Sequence, residues 1–153
     1  MEETMAGFLI AMISGALMST QGVFNTDVTK STSIWVAAGF VQLTALITCI
    51  IMWFANGRPE IAGLFQIERK YALLGGVMGA FITYTVVKSM STLGICKASL
   101  IIVITQIAAA YVIELFGIFG AKKTEFSWIK ILGIIIAIAG VVIYNVCGNQ
   151  AEG

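Results

Sequence analysis

Apolar residues run along this chain in blocks much longer than an amphipathic period, and charge is what interrupts them. Residues 4–26 carry no formal charge, and neither do residues 31–57. Residues 71–96 hold only Lys88, residues 98–121 only Glu114, and residues 131–151 none. Each block exceeds the roughly 20 apolar residues needed to cross a hydrocarbon core about 30 Å thick. Inside that core no water satisfies the backbone, so a spanning segment is a helix or a strand of a closed barrel. A barrel needs short segments of alternating polarity, and none occur here. The pattern predicts an all-α, polytopic membrane protein with transmembrane helices over about 5–27, 33–54, 71–94, 97–119 and 128–147. Together they form a single transmembrane domain over residues 1–153.

The connections are brief. Lys30-Ser31-Thr32 joins the first two spans and Leu93-Gly94-Ile95-Cys96 the third and fourth, and links this short make neighbouring helices run antiparallel. The longest, 55–70, contains Asn56-Gly57-Arg58-Pro59 and then an apolar run from Ile61 to Ile67 that suits the membrane interface as a short amphipathic turn. The acidic start Met1-Glu2-Glu3-Thr4 and the length of the apolar run behind it speak for a retained helix over a signal peptide. Arg58, Arg69, Lys70, Lys122, Lys123 and Lys130 share the N-terminal side, whereas Lys30 and Lys97, with Lys88 nearby, mark the other. That bias predicts a cytoplasmic N-terminus and an external C-terminus.

Composition agrees: 59% of residues are hydrophobic and 11% charged, too little polar surface for a soluble domain. A net charge of +1 gives no basic face for nucleic acid, and the absence of histidine removes the usual proton shuttle and commonest metal ligand. Cys49, Cys96 and Cys147 are too widely spaced for a metal or redox motif and read as small buried hydrophobes. No cofactor is implied. No nucleophile elbow, Walker loop or Rossmann glycine pattern is present, so an enzyme is not expected.

Several stretches carry a resemblance. Ser14-Gly15-Ala16-Leu17-Met18-Ser19-Thr20-Gln21-Gly22-Val23-Phe24-Asn25 is similar to the first-helix pattern of the YdcZ-type group, the bacterial five-helix branch of the drug/metabolite transporter (DMT) superfamily. Leu73-Leu74-Gly75-Gly76-Val77-Met78-Gly79-Ala80 resembles its third-helix opening. Gln106 followed by Ile113-Glu114-Leu115-Phe116-Gly117-Ile118-Phe119-Gly120 resembles the end of its fourth helix, and Leu132-Gly133 through Ala139-Gly140-Val141-Val142 the last helix of the wider superfamily. The resemblance covers nearly the whole chain. It implies an efflux or exchange carrier of the bacterial inner (plasma) membrane. Ten-helix relatives contain two inverted five-helix repeats, so this chain would be one half of an inverted-repeat DMT-type transporter. The partner is then a second five-helix copy, in an inverted homodimer, a parallel dimer or an inverted heterodimer with a paralogue of opposite charge bias. The small multidrug resistance group fits less well, because it has four helices and a glutamate in its first span, where this chain has Gln21 and no acid before Asp27.

Polar groups inside a membrane are costly, which makes each a candidate for function. Ser14, Gln21 and Asn25 lie seven and four residues apart, on one helical face. They either line a cavity for a small-molecule substrate or bond to a neighbouring helix. Gln42 and Gln106 sit near the midpoints of their spans, where transporter sites lie. Lys88 is six residues from the end of its span, about 9 Å deep at 1.5 Å per residue. Glu114 lies similarly deep at the opposite membrane face. Each can snorkel, or in an inverted dimer Glu114 of one copy can pair with Lys88 of the other. A carboxylate facing a cavity is a candidate proton or cation site. Of the aromatics in or near the spans, Trp35, Phe40, Tyr84 and Tyr111, Tyr84 is the preferred contact for an organic cation, while Trp35 and Trp53 read as interfacial anchors. Gly75 and Gly79, and Gly133 and Gly140, are close-packing faces, the fifth helix being the expected dimer contact.

Two functions of different class remain. One is a secondary carrier of a small organic solute, with organic cations among the candidates, and a midplane site that includes Gln21, Asn25, Gln42, Tyr84, Lys88, Gln106 and Glu114. The other is a non-transporting scaffold or regulatory subunit whose polar residues are consumed by helix packing. A channel is disfavoured, because no charged ring or filter-like loop is visible.

Overall fold

The structure, a computed structural model, describes the backbone of residues 2–151 and the side chains of residues 4–144. Cys147 and the acidic side chains of the N-terminal end lie outside the described side chains. Five α-helices follow one another: α1 Glu2–Ser31, α2 Ile34–Ala55, α3 Gly75–Leu93, α4 Ile95–Phe116 and α5 Trp128–Ala151. By length and composition α1, α2, α4 and the segment Lys70–Leu93 can each cross a membrane, and the described apolar part of α5 is Trp128–Tyr144. The chain is an all-α, polytopic membrane protein.

Hydroxyls are accommodated in these apolar helices because they satisfy themselves. Ser14 donates to the Ile10 carbonyl, Thr26 to Gly22, Thr29 to Asn25, Thr44 to Phe40, Thr83 to Gly79 and Thr105 to Ile101, at 2.8 to 3.1 Å. Such bonds to the preceding turn satisfy these hydroxyl donors without help from water.

The chain divides into two compact units, Met1–Thr92 and Leu93–Gly153. In the first, Ser33 starts α2 by accepting the Val36 N–H at 3.3 Å, a side-chain cap for an otherwise orphan donor. Asn56 closes the helix by donating both its backbone N–H and its side-chain amide to the Met52 carbonyl. Trp53 is held by donating its ring N–H to the Pro59 carbonyl at 2.9 Å. The following segment folds as short 3₁₀ turns at Ala62–Gln66 and Lys70–Leu74, and α3 therefore begins at Gly75, later than the span expected from residue 71. Phe65 is 85% exposed on the first of those turns.

Burial in this unit concentrates at Gly22, Asn25, Ala37, Ala38, Val87 and Met90. Gly22 lets α3 approach α1 closely: a Cβ there would sit 2.6 Å from Sδ and Cε of Met90. Most of α1 before it, from Thr4 to Thr20, is exposed.

The second unit is a hairpin of α4 and α5. Half-buried Ile104, Ala108, Tyr111 and Leu115 mark one face of α4, and Ile131, Ile134, Ala137 and Val141 one face of α5. Both sets recur at three to four residues, the spacing of a packing seam. Gly117 ends α4 in the left-handed conformation, φ 66°, as a residue just past a helix end commonly does. Helix α4 thus stops at Phe116, short of the span expected to 119, and Phe119 follows in the same conformation at φ 59°. The returning chain is tied to α4 where the Thr124 N–H donates to the Glu114 carbonyl at 3.0 Å.

Cys49 and Cys96 are free and exposed, which corrects the expectation of buried thiols.

Candidate functional site

A groove of about 450 Å³ runs between α4 and α5. Ile104, Ile107 and Ala110 line it from α4, and Gly133, Ile134 and Ala137 from α5. Its polar end is formed by Tyr111, Glu114 and Lys130. The volume falls in the usual range for small-molecule pockets, which are likewise mostly apolar with a few placed polar groups.

Three bonds organise that polar end. Lys130 Nζ lies 3.4 Å from Glu114 Oε2, and both side chains are close to half exposed. The same ammonium stands 5.4 Å from the centroid of the Tyr111 ring. The Tyr111 hydroxyl accepts the Ser127 N–H at 2.9 Å and lies 3.4 Å from the Ser127 carbonyl. Ser127 immediately precedes α5, and its carbonyl accepts the Ile131 N–H that opens the helix. Tyr111 therefore fixes where α5 starts, and through it the position of Lys130 one turn later. A half-exposed ion pair contributes only about 0–1 kcal/mol to stability, so it is readily opened. The groove can take a solute with an apolar body along the isoleucines and a polar end at the carboxylate and ammonium.

Of the seven residues the sequence singles out, only Glu114 lines this groove. Its partner is Lys130 of the same chain, where the sequence suggested snorkelling or a Lys88 from another copy. Lys88 is exposed on α3 and makes no side-chain hydrogen bond or ion pair among the described residues. Gln106 is exposed on α4, off the packing seam. Gln21 is exposed, while Asn25, one turn later, is 7% exposed. The Asn25 side chain makes no hydrogen bond among the described residues. Gln42 donates Nε2 to the Gly76 carbonyl at 3.4 Å, and a Cβ on Gly79 would lie 2.8 Å from that nitrogen. Its amide is thus spent on the glycine face of α3. Tyr84 is stacked on Trp35, ring centroids 4.7 Å apart at 22°, with Phe81 edge-on to the same indole. Trp35 accordingly packs on α3 in addition to sitting at a helix end.

Tyr111 enters the sequence reading as one aromatic among several, and Lys130 only as a charge that sets topology. A signal for both was present. Gly117 and Gly120 lie between Glu114 and Lys130, marking a reversal that returns α5 along α4. Tyr111 precedes Glu114 by three residues, on the same face.

Neither a curated protein nor a solved structure matches the chain. One family does, described as "Putative inner membrane exporter, YdcZ", and the match extends over residues 6–143. Five helices, several long enough to span a bilayer, and a match that runs from the first turns of α1 into α5 agree with one another: the chain belongs to the YdcZ family of inner-membrane proteins.

Proposed function

We propose that this chain is a secondary carrier that exports a small organic solute across the bacterial inner membrane, and that it is not an enzyme. The observation that carries the reading is the α4–α5 groove, an apolar trough that ends on the one acid found deep in an otherwise charge-free span. The family description as an exporter supports the same class of activity. Glu114 and Tyr111 bind the polar end of the solute, with Lys130 pairing Glu114 between solutes, and Asn25, a buried amide that makes no hydrogen bond among the described residues, is kept as a binding residue of the first unit. Gln21, Gln42, Tyr84, Lys88 and Gln106 stay in the proposal as residues that act in a second conformation or in the assembled carrier. The N-terminus is cytoplasmic, following the lysine and arginine bias. The working unit is two five-helix bundles, an inverted homodimer or a heterodimer with a paralogue, alternating access around the site.

A scaffold reading draws on one observation, the use of the Gln42 amide in packing α2 on α3. Ile134→Cys in a background without the native cysteines separates the two. A carrier leaves this groove position open to a membrane-impermeant maleimide, and exported solutes slow its modification. Complete protection, together with no counterflow of any solute in proteoliposomes and no change on Glu114→Gln, would sink the carrier reading.

A further inference from the structure

Lys130 does more in this site than balance a charge. Its ammonium is held by a carboxylate oxygen at 3.4 Å and by the face of an aromatic ring at 5.4 Å. Those two contacts are what an organic ammonium needs, because a cation is attracted both by a carboxylate and by the negative face of a ring. The position lies at the end of a groove whose other six lining residues are apolar or glycine. The chain has thus placed its own cation where a ligand's head would go, and left the space for a ligand's body empty of side chains.

We infer that the groove binds lipophilic organic cations, and that the Lys130 ammonium is a tethered competitor which such a cation displaces from Glu114 and Tyr111. The inference rests on the carrier reading for the site and adds its substrate class. Anionic ligands are disfavoured because they would meet the Glu114 carboxylate and the negative face of the Tyr111 ring. Displacement is easy for two reasons. The pair is close to half exposed, so the ion pair contributes little. The lysine stem is also flexible enough to carry its ammonium away to the membrane interface. The competitor keeps Glu114 paired when no solute is bound, which spares a carboxylate left bare against apolar walls.

The test uses the full chain in nanodiscs, with binding of tetraphenylphosphonium measured calorimetrically and the signal of empty nanodiscs subtracted. Tetraphenylborate, of the same shape and opposite charge, is the control. Lys130→Met is expected to tighten tetraphenylphosphonium binding about two- to fivefold, the factor that follows from losing a half-exposed competitor. Glu114→Gln is expected to weaken it about tenfold or more. Lys130→Gln, one atom shorter and uncharged but still a hydrogen-bond donor, should tighten it as well and stands in if the methionine variant is unstable. Unchanged or weaker tetraphenylphosphonium binding in the folded Lys130 variants would overturn the inference. So would saturable binding of tetraphenylborate that is lost with Lys130. Because equilibrium binding needs no turnover, absence of transport would count against the carrier reading and not against the cation site. Counterflow of an uncharged or anionic solute without tetraphenylphosphonium binding would do the opposite.

Discussion

Replacing Tyr111 by phenylalanine removes one oxygen and leaves the ring, so it isolates the bond that sets the start of α5. In the native chain that oxygen accepts the Ser127 N–H at 2.9 Å, and Ser127 is half-buried. A backbone donor that loses its partner costs about 1–3 kcal/mol when water cannot replace it. Half exposure places the cost near the lower end, about 1 kcal/mol, or roughly a fivefold shift in a local opening equilibrium at an RT of about 0.59 kcal/mol. The longer contact to the Ser127 carbonyl, 3.4 Å, adds little, because that oxygen keeps the Ile131 N–H. Hydrogen–deuterium exchange of the full chain in nanodiscs reads the effect directly. The Ser127 amide should exchange about fivefold faster in Tyr111→Phe, while amides in the middle of α4 keep their native rates. Equal exchange at Ser127 in the two proteins would refute the assignment of Tyr111 as the tie between α4 and the entry to α5.

Three further substitutions probe the first unit. Asn25→Ala removes a buried amide that makes no bond among the described residues, so stability against denaturant should stay level or rise by about 1 kcal/mol. A fall of more than about 1 kcal/mol would show that the amide has a structural partner, and loss of transport at undiminished stability would assign it to the solute. Gly79→Ala places a methyl where the Gln42 amide nitrogen lies 2.8 Å away. It should break the Gln42–Gly76 bond and cost about 1 kcal/mol, with Gln42→Ala costing a similar amount and the double variant less than the sum. Strict additivity in unfolding experiments would mean that the two positions do not share a contact.

The spans were legible in the sequence because lipid is a uniform solvent and imposes a length and a lack of charge that a one-dimensional pattern can carry. Glu114 could be picked out for the same reason, as a charge inside such a span. Its partner could not, because the pairing with Lys130 depends on how the chain between Gly117 and Ser127 folds back. The polar face expected at Ser14, Gln21 and Asn25 also misjudged what marks an interface. Ser14 bonds to its own helix, Gln21 is exposed, and the buried stripe is set by Gly22, where absence of a side chain admits Met90. Similarly, Gln42 sits mid-span as expected, but which helix its amide meets was decided by the glycines of α3. Close approach of backbones, more than polarity, chose the contacts.

The distance along the chain between Glu114 and Lys130 bears on how the protein enters the membrane at all. Sixteen residues separate them, and at synthesis rates of roughly 5–20 residues per second the lysine emerges about 1–3 s after the glutamate. During that interval α4 carries an acid without the lysine it pairs with in the folded chain, at a depth where insertion of a lone charged residue is unfavourable by up to about 3 kcal/mol. Helix α1, exposed from Thr4 to Thr20 and free of charge there, has no such reason to wait and can leave the insertion machinery alone. For α4 the lower-energy route is to remain at the lateral exit until α5 arrives, and to partition into lipid as a paired hairpin. The ion pair at the groove would then serve first as a condition of assembly and only afterwards as part of a binding site.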